Sequence, residues 1–161
     1  IRRQRQMCIR DRLAYDPYLS AEELGRIGVR KVELAELLAK SDIISLHLHA
    51  NAETCGMICR ETLEQMKETA ILINVSRGPL VNDDDLLEAL RSHRILAAGL
   101  DTHNHEPMGA DSPFCRLDNV VLTDHTAYST MEGVEELKTK AAQNVIDVLT
   151  GRPVRYPVNH L

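Results

Sequence analysis

The 161-residue sequence predicts an α/β protein built on a parallel sheet. From Leu13 onward short apolar runs alternate with helix-length amphipathic segments, the signature of such a sheet. At 43% hydrophobic and 27% charged, the composition is that of an ordinary globular chain. Polar and ionisable residues also recur directly after the apolar runs, where doubly wound sheets bind their ligands. The length suits about one domain.

Each element has its own warrant. Leu13 to Asp16 reads as a strand end, stopped by Pro17. Ser20 and Glu23 form a capping box that starts a short helix, and Gly25 or Gly28 ends it. Val29 to Val32 makes a short strand. Leu34, Leu37 and Leu38 give one face of a second helix before Asp42. Ile43 to Leu48 reads as a buried strand, and Ala70 to Val75 as another. Between them Thr62 to Lys67 holds a helical turn or two, and Cys55 and Cys59, four apart, predict a pair on one helix face. Asp83, Asp84 and Asp85 then place acid at a helix start, with Arg91, His93 and Arg94 near its end, both favourable to the helix dipole. Leu86, Leu87 and Leu90 form its buried face. Strands follow at Leu96–Leu100 and Asn119–Leu122. A last helix runs from about Ser129 to Thr150, with Val134, Leu137, Ala141, Ala142, Val145, Val148 and Leu149 on one stripe. Gly151 and Pro153 stop it.

Charge and composition exclude several classes. The net charge of −5 disfavours non-specific nucleic-acid binding. No apolar run reaches the roughly 18 residues that span a bilayer, so no membrane partner is expected. The four cysteines, Cys8, Cys55, Cys59 and Cys115, have no CxxC and no metal-type spacing, and read as reduced thiols of a cytoplasmic protein. Residues 1–12 carry five arginines and one aspartate, so the charge is uneven: +4 there, −9 on the rest. With no aromatic interleaving, that segment is read as foreign to the fold or as a disordered tail. The organisation expected is thus a 1–12 arginine-rich segment, a 13–150 domain and a 151–161 C-terminal tail.

The candidate chemistry lies after the strands. Asp16 is placed to accept hydrogen bonds from ribose hydroxyls, or simply to close a turn before proline. Arg77, before Gly78-Pro79, can hold a carboxylate with two parallel hydrogen bonds, or can be a surface arginine beside a turn. His125, after Val120 to Thr123, can give or take a proton near neutral pH, and a carboxylate such as Glu106 on its other nitrogen would fix the tautomer. A lone histidine is more often structural; the combination with Arg77 and Glu106 favours the chemical reading. His47 and His49, and His103 and His105, lie two apart, but without a third ligand at usable spacing no metal site is expected.

Together these residues resemble the NAD-binding domain of the D-isomer-specific 2-hydroxyacid dehydrogenases, the group that includes phosphoglycerate and glyoxylate/hydroxypyruvate reductases. The resemblance rests on Tyr15-Asp16-Pro17, Ser41 to Leu48, Ile73-Asn74-Val75-Ser76-Arg77-Gly78, Ala98-Gly99-Leu100-Asp101, Glu106-Pro107 and Leu122-Thr123-Asp124-His125-Thr126-Ala127, and runs nearly continuously from Leu13 to Asn159. It implies a Rossmann-type doubly wound sheet, with 13–150 as a partial NAD-binding domain. It also implies NAD as cofactor and a small 2-oxo or 2-hydroxy acid as substrate, with hydride passing between nicotinamide C4 and substrate C2. Arg77 would orient the substrate carboxylate, His125 would exchange the proton and Glu106 would pair with His125. Asp16 would bind the adenosine ribose, while Asn74, Asp101 and His125 would line the cofactor. A homodimer is implied for the full-length protein.

The sequence departs from the family pattern in three places. His49-Ala50-Asn51 stands where the family usually has proline-leucine-threonine, and Asp124 stands where proline usually precedes the histidine. No GxGxxG occurs anywhere. In the family that motif, with the first strand, precedes the strand at Tyr15-Asp16, and its glycines let the backbone approach the pyrophosphate. The expectation is therefore an incomplete sheet lacking its first strand and Gly-rich loop: the C-terminal part of a longer enzyme, which by itself binds NAD weakly or not at all. The loss would leave the strands at Asp16 and Val29–Val32 without their link to the rest of the sheet. A dinucleotide-sensing corepressor-like scaffold is the alternative that the same residues allow.

Overall fold

The computed structural model describes residues 11–157 and divides the chain into two compact units, Ile1–Asp124 and His125–Leu161. Most of the arginine-rich segment, Cys8 included, lies outside the described residues. Arg12 takes part in the fold: its carbonyl accepts the Arg30 N–H at 2.9 Å and its guanidinium donates to Ile27 O at 2.7 Å.

The first unit contains two parallel sheets with no ladder between them among the described residues. In the smaller, β1 (Leu13–Ala14) pairs with β2 (Arg30–Lys31) in the register Leu13 to Arg30. Between them lies α1 (Ala21–Arg26). Its capping box forms as the sequence predicts, with Ser20 Oγ accepting the Glu23 N–H and Glu23 Oε2 accepting the Ser20 N–H. Of the two glycines that could end α1, Gly28 does so, at φ +71°. The Val29 N–H then reaches back to Leu24 O at 3.0 Å, which completes a Schellman cap.

The larger sheet runs β3 (Ile43–Leu46), β4 (Ile71–Asn74), β5 (Ala97–Leu100) and β6 (Val120–Leu122), each parallel to its neighbour. Its crossovers carry α3 (Arg60–Leu63) and α4 (Asp83–Arg91), and α2 (Leu34–Lys40) precedes β3. Leu38, Leu63, Leu86 and Leu90 from these helices pack with Ile44, Leu46, Leu72, Ala98 and Leu100 of the strands into one core. Burying each such leucine contributes roughly 1.5–3 kcal/mol. Leu24 and Val32, buried in the smaller sheet's layer, stand outside that cluster.

Two expectations about this region need correction. The strand at Ile43 is shorter than Ile43–Leu48 and is buried on one face only, because it is the sheet edge and alternates along the pleat: Ile44 and Leu46 face the core, while Ile43 is 56% exposed. At the opposite edge Val121 is 70% exposed on the same pattern. Cys55 and Cys59 do not share a helix face, since Cys59 is the N-cap of α3 and Cys55 sits in the turn before it. Both are free thiols, as is Cys115.

The second unit is dominated by α5 (Met131–Leu149), capped by Thr130 Oγ1 on the Gly133 N–H and closed by Gly151 at φ +66°. Of its apolar stripe, Leu137, Val145, Val148 and Leu149 are exposed. The buried member of α5 is Asp147, which accepts Gln143 Nε2 at 2.9 Å and pairs with Arg155 at 3.2 Å. No described helix is long and apolar enough to cross a membrane.

Candidate functional site

The carboxyl ends of β4 and β5 are joined by a compact polar turn built around one buried amide. Asn74 ends β4 at 1% exposure. Its Nδ2 donates to Arg77 O at 2.9 Å and its Oδ1 accepts the Ser76 N–H at 3.1 Å. A buried amide with both ends satisfied fixes the turn. The structure thus gives Asn74 a bracing role, shaping the backbone that carries Arg77. The Arg77 side chain is exposed, and its Nη1 donates to Ser76 O at 2.7 Å.

Downstream, Gly78–Leu80 forms a single 3₁₀ turn held by a facing segment. The Gly56 N–H donates to Pro79 O, the Ile58 N–H to Leu80 O, and the Asn82 N–H back to Ile58 O. Gly78 is buried, and a Cβ added there would lie 2.1 Å from the His103 carbonyl carbon and 2.4 Å from Asn104 N. Only glycine allows the loop after β5 to sit this close. That requirement was invisible in the sequence outside the Arg77-Gly78 motif.

The loop after β5 carries the next two candidates. Asp101 is buried; its N–H donates to Asn74 O at 2.9 Å, and its Oδ1 accepts the Thr123 hydroxyl at 2.5 Å. Glu106 is exposed, and its Oε1 accepts the His103 N–H at 2.9 Å. His103 Nε2 meets Thr123 O at 2.8 Å, and Asn104 Nδ2 donates to Val81 O at 3.1 Å. Asn74, Arg77, Asp101 and Glu106 thus stand on one connected framework of backbone contacts. Beside it α4, the 3₁₀ turn and the loop enclose a cavity of about 390 Å³. Asp83, half-buried there, has its carboxyl pushed above the ordinary value by burial, against the opposing pull of Asn104 and of His103 and His105.

Asp16 stands apart, in the turn after β1. Its Oδ1 accepts the N–H groups of Tyr18 at 2.8 Å and Leu19 at 3.0 Å. These bonds, that to Leu19 foremost, hold its carboxyl below the ordinary range, with Lys31 assisting. The turn reading of Asp16 is therefore seen directly.

His125 opens the second unit, half-buried, with its ring edge-on to Tyr128 at 6.4 Å between centroids. Its φ is +50°, one of two left-handed values among described non-glycine residues. The other, His93, is accounted for by the cap of α4. His125 follows a strand instead, and strained residues of that kind concentrate at functional sites. Elsewhere, His47 Nε2 is taken by Ser45 Oγ at 2.8 Å.

Comparison with known proteins gives this arrangement a context. Residues 5–127 match the family model described as D-isomer specific 2-hydroxyacid dehydrogenase, NAD binding domain. The D-3-phosphoglycerate dehydrogenase of Archaeoglobus fulgidus is 40% identical over 147 residues, which is 91% of this chain and 28% of that enzyme. The hydroxypyruvate reductase of Blautia hydrogenotrophica is 39% identical over 88% of this chain and 44% of its own length. Among solved structures, the D-lactate dehydrogenase of Lactobacillus jensenii with NAD+ superposes with a TM-score of 0.84 at 32% identity, covering 93% of this chain and 48% of that one. The chain spans less than half the length of each of these relatives.

Proposed function

The chain belongs to the D-isomer-specific 2-hydroxyacid dehydrogenases through their NAD-binding domain, and on that premise we propose that the whole protein is an NAD-dependent oxidoreductase of D-2-hydroxy acids. The observation that carries the reading is the Asn74 turn. A buried amide spends both its hydrogen-bonding ends on shaping a loop whose outward product is the guanidinium of Arg77. Such a fixed, planar, permanently charged group suits the carboxylate common to all 2-oxo acids.

In this reading Arg77 binds the substrate carboxylate and polarises the 2-oxo group. His125 gives that oxygen its proton during reduction and takes it back during oxidation. Glu106 pairs with the imidazole and fixes its orientation. A nicotinamide, when bound, supplies or accepts the hydride at substrate C2. The residues present fit the cofactor in part. Asp16, kept ionised by two backbone N–H groups, suits ribose hydroxyls and disfavours an added phosphate. The buried carboxylate of Asp101, beside Asn74, suits the nicotinamide side. For the pyrophosphate the sequence offers no GxGxxG, so tight cofactor binding belongs to the whole protein. A homodimer and a cytoplasmic location complete the proposal: the resemblance supports the first, and the free thiols of Cys55, Cys59 and Cys115 agree with the second.

The test is NADH oxidation by the whole gene product with a panel of 2-oxo acids such as glyoxylate and hydroxypyruvate. Turnover is expected, with NADH preferred over NADPH. Arg77→Ala should chiefly raise KM for the oxo acid, and His125→Ala should lower kcat by roughly 100- to 10,000-fold. A protein that binds NADH yet turns over none of the acids would overturn the oxidoreductase reading.

A further inference from the structure

His103 belongs to none of the catalytic roles just described, yet it touches three of the segments that carry them. Its backbone N–H donates to Glu106 Oε1 at 2.9 Å. Its carbonyl group lies where a Gly78 side chain would be, directly against the residue after Arg77. Its ring crosses to the end of β6, with Nε2 2.8 Å from Thr123 O. A carbonyl oxygen only accepts, so Nε2 is the protonated ring nitrogen. The hydroxyl of the same Thr123 donates to Asp101 Oδ1, and its N–H to Leu100 O. Thr123 therefore anchors the loop after β5 at two residues, Asp101 through its hydroxyl and His103 through its carbonyl, and His125 follows it by two positions in the chain.

We propose that His103 is a positioning residue, whose ring pins the loop after β5 to Thr123 so that its own N–H holds the Glu106 carboxylate in place. The inference rests on the oxidoreductase reading and adds to it a residue that acts through Glu106. A loop whose tip is exposed keeps a carboxylate oriented only if something fixes its backbone. The close approach at Gly78 sets the loop's distance from the Arg77 turn, and the imidazole sets its position along β6. Asn104, through Val81 O, ties the next residue to the same wall. Catalytic geometry is sensitive at this scale, since a misplacement of about 1 Å can cost on the order of 100-fold in rate.

The test uses the whole enzyme with three versions of residue 103. His103→Phe keeps the ring's bulk and removes the donor; it should lower kcat for 2-oxo acid reduction by about 10- to 100-fold while leaving KM for the oxo acid near the wild-type value. His103→Gln places an amide N–H within reach of the same carbonyl and should recover most of the loss. Circular dichroism and thermal melting separate a misfolded variant from a mispositioned loop. Wild-type kcat in a folded His103→Phe enzyme, or a glutamine variant no better than phenylalanine, overturns the proposal and leaves the oxidoreductase reading standing. No turnover by the wild type removes both. On the 161-residue chain, ¹⁵N spectra of the imidazole give a readout independent of activity. A proton on Nε2 is expected at neutral pH, and an Nδ1–H tautomer would show that the bond to Thr123 does not exist.

Discussion

Asp83 shows how a single side chain in this fold carries a charge at some cost. It begins α4, where the helix dipole favours a carboxylate, but it is half-buried and burial dominates, raising its carboxyl above the ordinary value. The groups facing it are Asn104, His103 and His105, which favour the anion, and Asp84, which opposes it. A carboxyl raised in the folded state binds its proton more readily there than in the unfolded chain. Its contribution to stability is complete below the unfolded value of about 4 and is lost as pH rises through the folded value. Asp83→Asn, neutral throughout, should therefore melt higher than the wild type at pH 7 to 8. The gain should shrink to nothing as pH falls towards about 4. Asp84 and Asp85 keep the helix start acidic, so the dipole is not lost. Thermal unfolding of both proteins across this range checks the sign, and an asparagine variant less stable at neutral pH would mean that the dipole outweighs burial. At this same scale the sequence offers Arg77, Glu106 and His125 as candidates because their motifs are local. It hid the contact between Gly78 and His103, which joins residues 25 positions apart through backbone atoms that carry no sequence signal.

Three of the helices share one way of ending, and that gives a controlled comparison between elements. α1, α4 and α5 all close with Schellman caps, in which an N–H three residues past the helix reaches back: Val29 to Leu24 O, Arg94 to Ala89 O and Arg152 to Asp147 O. The left-handed position is Gly28 in α1, Gly151 in α5 and His93 in α4, at φ +71°, +66° and +54°. Glycine adopts that conformation without steric cost, whereas a Cβ there costs roughly 1 kcal/mol. His93→Gly should then stabilise the chain by about 0.5–1 kcal/mol, reduced somewhat by the greater freedom of glycine when unfolded. Gly28→Ala should destabilise by a similar amount. Urea unfolding of both variants tests the pair, and equal effects of one sign would contradict it. These caps explain why the element boundaries were largely legible. Ser20 with Glu23, the Asp83 to Asp85 run, Gly28 and Gly151 are local signals with local causes. The length of β3 and the fate of the α5 stripe were not legible, because alternation and periodicity say which residues share a face and nothing about what covers it. Ile43 and Leu149 are apolar by sequence and exposed by context.

At the level of the whole molecule, the notable feature is a sheet in two pieces. The sequence led to this expectation, since a doubly wound sheet without its central first strand separates the two strands on one side from those on the other. Among the described residues the structure has that division, with β1–β2 as one sheet and β3–β4–β5–β6 as another. The energetics follow from size. The four-stranded sheet shares one core with α2, α3 and α4, with Leu72, Leu80, Leu86 and Ile95 fully buried. The smaller sheet has two-residue strands and a six-residue helix, and among the described residues only Leu24 and Val32 are buried in its layer, outside that core. Two-stranded pairings are marginal in water, and regions with few buried apolar contacts open at free energies well below that of global unfolding. Amide exchange on the 161-residue chain should therefore separate the two. The amides of Arg30 and Val32, bonded to Arg12 O and Ala14 O, should exchange early, by local opening. Those of β4 and β5 and of the residues flanking β5, such as Leu96 on Ala70 O and Asp101 on Asn74 O, should exchange only with global unfolding. In the whole protein, where a strand between the pieces would pair with both, Arg30 and Val32 should gain protection while the β4 and β5 amides change little. Equal protection of both sheets in the 161-residue chain would show that the smaller one draws stability from contacts beyond its own layer, and the missing-strand account of its weakness would then fail.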